Sequence, residues 1–196
     1  MKSWNIAIAA AVLAVLTTPA AAQDLGLGTN GDQFVAAVQK RDGDKATQLL
    51  ADHPTIVDSR DNKGNTGLII VISRSDRDYT GFLLNKGADP NLSGAGGDTP
   101  LIAAAKASFD EAAEWLIGLG AKVDTANRKG ETPLIIAVQQ RDTDLVKLLL
   151  EHGANPDRTD AVAGYSARDY ATRDNRARQI LQLIQLAKPK AAAAKP

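Results

Sequence analysis

No cysteine occurs in the 196-residue chain, and that single absence removes several kinds of chemistry. Disulfide staples, thiolate metal sites, a cysteine nucleophile and a lipid-anchored N-terminal cysteine are all excluded. Aromatic residues make up only 4%, so a core must be built from Ala, Leu, Ile and Val, which suits thin two-layer packing. An excess of charge is missing too, because 23 Lys and Arg balance 23 Asp and Glu. No global field therefore draws nucleic acid or an anionic membrane.

What is present is a beat. GNTGLIIVI begins at Gly64, GDTPLIAAA at Gly97 and GETPLIIAV at Gly130, which spaces Thr66, Thr99 and Thr132 evenly along the chain. Gly87, Gly120 and Gly153, in NKGADPN, LGAKVD and HGANPD, keep the same interval, each at a fixed distance after its threonine. Two unrelated phrases locked to one period predict a stacked repeat array rather than a closed globule. Each unit reads as two helices and a loop. A threonine before the first helix, followed by proline in Thr99-Pro100 and Thr132-Pro133, is an N-cap with proline at the first helical position. The second helix opens with acids (Asp76 and Asp78, Asp110 and Glu111, Asp142 and Asp144) and closes with the triplets Phe82-Leu83-Leu84, Trp115-Leu116-Ile117 and Leu148-Leu149-Leu150. The glycines that follow stand where a helix commonly ends in a left-handed turn.

These residues resemble the ankyrin repeat, whose signature is G-x-T-P-L-H-x-A-A followed by V-x-x-L-L and G-A-D-x-N. The tetratricopeptide alternative lacks its Trp, Leu-Gly and Tyr positions. The resemblance spans 30–187 and implies an all-α solenoid of stacked helix-turn-helix units joined by short β-turn or hairpin loops. It divides into a cap unit at 30–61, repeats at 62–94, 95–127 and 128–160, and a C-terminal cap unit at 161–187. Departures from the signature carry expectations of their own. Ile69, Ile102 and Ile135 replace the family histidine, so apolar packing must take over from its turn-binding bonds. Gly67 stands where proline belongs, and the first helix there should start less firmly. The loop LSGAGGDT should be the most mobile finger and an early site of proteolysis. The stretch from Gly153 to Ser166 is one residue longer than its counterparts from Gly87 to Thr99 and from Gly120 to Thr132, so the last loop should bulge.

Beyond the array, Lys2, the apolar run from Ile6 to Leu16 and Ala20-Ala21-Ala22 follow the order of a secretory signal peptide, 1–22, cut after Ala22. The run is shorter than the ~20 residues a membrane span needs, and an uncleaved anchor is the competing reading. At the other end the Lys, Pro and Ala tail 188–196 has no apolar face and reads as disordered.

Few residues offer chemistry. His53 and His152 fall in equivalent turns several units apart, where they share neither a metal nor a triad. Acid pairs such as Asp142 with Asp144, or Asp42 with Asp44, invite a glycosidase reading, which needs carboxylates ~5–9 Å apart across a cleft. Their recurrence at helix starts favours capping instead. Gly94-Ala95-Gly96-Gly97 lacks the lysine of a phosphate loop. Phe82, Trp115 and Leu148 should form a column between units, with Trp115 the anchor if any of it is exposed. No catalytic, metal or cofactor residue is assigned.

The resemblance implies a concave partner-binding side made of loop tips and first-helix faces. Carried onto this sequence, it comprises Arg60, Lys63, Asn65, Ser73 and Arg74, then Asp98, Lys106 and Ala107. It continues with Arg128, Lys129, Glu131, Gln139 and Gln140, and ends at Tyr165. Its mixed signs suit a protein partner rather than a polyanion. The expectation is an exported, periplasmic and monomeric adaptor that binds another protein and catalyses nothing. It neither contacts nucleic acid nor stays in the membrane once the signal is cut. The alternatives are a secreted effector that binds host or competitor proteins, and a carboxylate-dependent hydrolase.

Overall fold

A computed structural model describes residues 28–187. The signal segment read at 1–22 and the tail read at 188–196 lie outside the described residues.

The repeated threonines act first. Thr66, Thr99 and Thr132 hold extended backbone, and their hydroxyls accept the N–H groups of Ile69, Ile102 and Ile135 at 3.2–3.3 Å. Each bond satisfies a donor that a helix start leaves free, so a short helix begins at the following residue. These helices are α3 (Gly67–Ile72), α5 (Pro100–Ala107) and α7 (Pro133–Gln140). In the end units Thr29 and Ser166 form full capping boxes with Asp32 and Asp169, opening α1 (Asn30–Lys40) and α9 (Ala167–Arg173). The second helices are α2 (Gly43–Asp52), α4 (Arg77–Asn85), α6 (Asp110–Gly118), α8 (Thr143–Glu151) and α10 (Arg178–Leu186). Past α4, α6 and α8 the chain turns at Gly87, Gly120 and Gly153 with φ of 86°, 88° and 82°, as their spacing predicts. The described residues form ten α-helices and two short 3-10 helices, Pro54–Asp58 and Ala95–Gly97, and the only strand-like pairing among those residues is two isolated bridges, Arg60–Thr66 and Thr159–Ser166, in the loops. The all-α array is as the sequence predicts.

Burial follows the repeat. Ile69, Ile102 and Ile135 are 5%, 0% and 0% exposed, so the residues standing in for histidine are core. The middle residues of the triplets, Leu83, Leu116 and Leu149, are fully buried, each contributing about 1.5–3 kcal/mol over an exposed side chain. Phe82, Trp115 and Leu148 beside them are half-buried, Phe82 and Leu148 packed against the core. Trp115 lies under the Arg77 guanidinium, 5.5 Å from the ring centre, while Arg77 grips Glu111 with two bonds of 2.7 Å. First helices pack side by side along the whole array, whereas α2 with α4, and α4 with α6, meet only sparsely. A stack whose first-helix row is the tighter one curves towards it, which puts first helices and loops on the inner side.

Loops repeat as faithfully as helices. The side chains of Asp58, Asn91 and Asp124 accept the backbone N–H of Asp89, Lys122 and Asn155, at 3.0, 2.9 and 2.8 Å, each in the next unit. Asp157, the last of the series, has no such successor and is held by Arg168 Nε at 2.7 Å. The extra residue of the last loop is absorbed at Asp160, which is 5% exposed. Its carboxylate gathers the N–H groups of Val162, Ala163 and Gly164, while Tyr170 donates its hydroxyl at 2.7 Å.

Gly67 does not displace the helix start. Helix α3 opens at the same repeat position as α5 and α7 and is shorter only at its far end, where the Ser73 hydroxyl bonds the Ile69 carbonyl. A methyl group at Gly67 would meet Leu83, Val38 and Phe34 at 3.6–3.7 Å, an ordinary contact. Gly67→Ala is therefore expected to raise stability by about 0.5–1 kcal/mol, read as a higher urea midpoint. A lower midpoint would mean that the site has no room for the methyl.

Candidate partner-binding face

Where repeats 62–94 and 95–127 meet, the inner side opens into a groove of about 450 Å³. Its floor is apolar: Ile69 and Ile70 from α3, Ala103 and Ala107 from α5. Lys63, Asn65, Ser73, Arg74, Asp98 and Lys106 stand around it, joined by Gln39 and Asp61. Seven residues chosen from the sequence, these six and Ala107 on the floor, thus converge on one place, each set by a capped helix or a hydrogen-bonded loop. Sequence reasoning missed Gln39 and Asp61. The signal for Asp61 was its period, since Asn127 and Asp160 recur from it at the repeat spacing, through Gly94. Gln39 belongs to the degenerate cap unit, whose register differs by one residue.

Much of the rim is already engaged. Asp98 sits between the Lys106 amine and Asn127 Nδ2, the latter at 2.9 Å. Asp61 Oδ1 accepts the N–H groups of Lys63 and Asn65 at 2.9 and 2.8 Å. Arg74 donates to the Gln39 carbonyl at 2.9 Å.

The remaining proposed residues lie elsewhere, and several are spent on bracing. Arg60 Nη1 donates to the carbonyls of Gly64 and Ser93 at 2.6 and 2.7 Å, binding two loops together. Glu131 accepts from Asn127 Nδ2 at 2.8 Å. Gln140 donates to the Lys106 carbonyl at 3.1 Å and accepts from the Ser108 hydroxyl at 2.7 Å, so it locks α7 to the end of α5. Tyr165 is half-buried, edge-on to Tyr170 and covered by Arg173, 4.0 Å from its ring centre. Arg128, Lys129 and Gln139 are exposed.

A family model for ankyrin repeats matches three times, over residues 34–127, 82–160 and 110–191. The chain belongs to the ankyrin repeat family. No curated protein matches it. Ankyrin repeats are protein-interaction modules, and members of the family are typically binding scaffolds rather than catalysts.

The ankyrin loops correct one expectation. The glycine-rich loop at 93–98 is no free finger. In the two joints after it, fingertip N–H groups cross to the preceding tip: Arg128 to the Gly96 carbonyl at 2.9 Å and Ala161 to the Lys129 carbonyl at 2.8 Å. The corresponding donor in the first joint is Ala95, and it bonds the Asn65 side-chain oxygen at 2.9 Å. The loop is thus tied on both sides. Gly94 stands where other units carry Asp61, Asn127 or Asp160, so this loop has no side chain of its own to organise the turn. Asn65 of the preceding loop supplies the acceptor, and a Cβ at position 94 would come within 2.6 Å of its oxygen. Gly130 is constrained likewise: φ is 76°, and a Cβ would lie 2.5 Å from the Ala161 nitrogen.

The acids also divide. Asp42, Asp76 and Asp142 cap α2, α4 and α8 through the N–H groups of Lys45, Tyr79 and Leu145. In α6 the cap position is Phe109, which makes no such bond, and Asp110 comes one residue later. Its Oδ1 is buried without a partner. Burial, and then the neighbouring carboxylates of Asp142, Asp144 and Glu114, push the Asp110 carboxyl above its usual range. Burial also acts upward on Asp160, but the Tyr170 hydroxyl and the three loop N–H groups outweigh it and hold that carboxyl below the usual range. Among the described residues there is no group of three or more His, Asp or Glu side chains arranged to hold a metal ion.

Two outcomes are expected. Asn65→Ala should expose the loop to early cleavage between residues 93 and 97 in limited proteolysis, while the native loop resists; equal rates of cutting would refute the bracing role. Asp110 binds its proton more tightly folded than unfolded, so it destabilises the fold above its raised folded pKa, and that penalty disappears as the pH falls. Asp110→Asn should therefore raise the melting temperature at pH 7, with the gain shrinking as the pH drops through the carboxylate range near ~4. A gain that persists unchanged at low pH would rule out titration as its cause.

Proposed function

We propose that this ankyrin protein is an exported adaptor that holds a partner protein against the groove at the 62–94/95–127 joint and has no catalytic activity of its own. The convergence of Lys63, Asn65, Ser73, Arg74, Asp98 and Lys106 over an apolar floor supports the binding site most directly. A floor that excludes water under a polar rim is the usual anatomy of a protein interface. The caps made by Asp42, Asp76 and Asp142 support a structural role for acids that would otherwise invite a hydrolase reading. Export is supported by the charged, apolar and small-residue order of residues 1–22, and the periplasm is the compartment we propose for it. Among the described residues no helix is long and apolar enough to cross a membrane.

The test uses the chain made in its own host and captured from a fractionated envelope, beside a Lys63→Ala/Arg74→Ala form of matched helicity. One protein retained by the native chain and lost with the variant is the expected result. Retention of the same proteins by both forms would move the contact surface off this groove. Recovery of the uncleaved chain in the cytoplasmic fraction would overturn export.

A further inference from the structure

Residues 28–187 hold 19 Lys and Arg against 22 Asp and Glu, so the folded array is acidic as a whole. The groove departs from that balance. Three cations, Lys63, Arg74 and Lys106, face two acids, and both acids are occupied: Asp98 by Lys106 and Asn127, Asp61 by backbone N–H groups. Lys63 forms no ion pair among the described residues. Arg74 bonds only the neutral Gln39 carbonyl, which leaves its charge unopposed and most of its donors free. Arg128, tied by its backbone to the Gly96 fingertip, adds an exposed cation beside the groove. The floor under these charges is made of small and branched apolar side chains, of which Ile70 and Ala107 are half-buried and Ile69 and Ala103 buried.

We infer that the partner presents an extended segment in which an acidic side chain lies next to a small apolar one. The inference rests on the groove being the partner site. The acidic side chain meets Lys63 and Arg74 in charge-assisted bonds, and the apolar one rests on Ile70 and Ala107. Guanidinium and ammonium groups at the edge of a low-dielectric floor attract a carboxylate more strongly than they would in open water. Asp61 and Asp98 between the cations repel a long polyanion, which selects for one or two carboxylates in a short stretch rather than a nucleic acid backbone.

An array of random 12-residue synthetic peptides, probed with the labelled full chain, tests this directly. Retained peptides are expected to be enriched in Asp and Glu beside Ala, Val or Leu, and to be released by salt. The affinity of a retained peptide should fall about tenfold or more in Lys63→Ala/Arg74→Ala. Lys63→Glu/Arg74→Glu should turn the enrichment towards Lys and Arg. If the double variants lose helicity, Lys63→Ala alone serves, because Lys63 lies exposed outside any helix. Enrichment of basic or neutral peptides that are still lost in the variants would overturn the acidic segment and leave the groove as the site. Identical retention by native and variant chains would overturn the groove itself, and no retention at all would also refute the proposal.

Discussion

Every helix pair in this array has an apolar side that it cannot cover alone, and the next pair is what covers it. Leu83, Leu116 and Leu149 are fully buried only because a neighbour lies against them. That dependence explains why so many side chains work across a joint rather than within a unit. Asp58, Asn91 and Asp124 each reach an N–H of the following unit, and Asp157 at the end turns to Arg168. Arg41 pairs with Asp76, Arg77 with Glu111 and Arg141 with Asp174, again across joints. Exposed ion pairs add little individually, about 0–1 kcal/mol, but they fix the register in which apolar faces meet. The end units close the series with capping boxes and exposed polar surface, as a stack with two open ends requires.

Binding has to share residues with this bracing. Position 65 and its equivalent, Asp98, both reach the loop that follows: Asn65 to the Ala95 N–H, Asp98 to the Asn127 amide. Both also stand on the rim of the groove. A rim residue already held by a neighbour loses little conformational freedom when a partner arrives, so less of the interaction energy goes into ordering it. The same residues are poor targets for dissecting affinity, since removing one alters the joint together with the contact. Lys63 separates the two roles best, because its amine bonds no neighbouring unit among the described residues, whereas Arg74 also crosses a joint to the Gln39 carbonyl.

The sequence was most legible where one repeat position does one local job. The threonine beat marks the helix starts, and the glycine beat marks the turns, because capping and left-handed turns depend on residues within the same few positions. It was least legible where an interaction crosses a joint. Gly94 read as looseness since its loop lacks an organising side chain; the compensating acceptor, Asn65, belongs to the preceding loop and becomes adjacent only after stacking. Asp110 read as one more cap, although counting one repeat period onward from Asp76 lands on Phe109. Within the proposed face, a residue type showed which side chains could touch a partner, but not that Arg60, Glu131 and Gln140 were already engaged inside the array.

The loan of Asn65 to the loop at Gly94 has a consequence for how such a protein can be rearranged. Units of equal length look interchangeable, as if recombination could duplicate, delete or shuffle them freely. Here Gly94 and the Asn65 that offsets it both belong to the unit 62–94, so a copy of that whole unit carries the gap together with its repair. A crossover between positions 65 and 94 would instead set Gly94 behind Asp98 or Glu131 in place of Asn65, side chains that in this array are committed to Asn127. Which crossovers the array tolerates is thus written into its joints, and the groove that Asn65 borders follows the same rule.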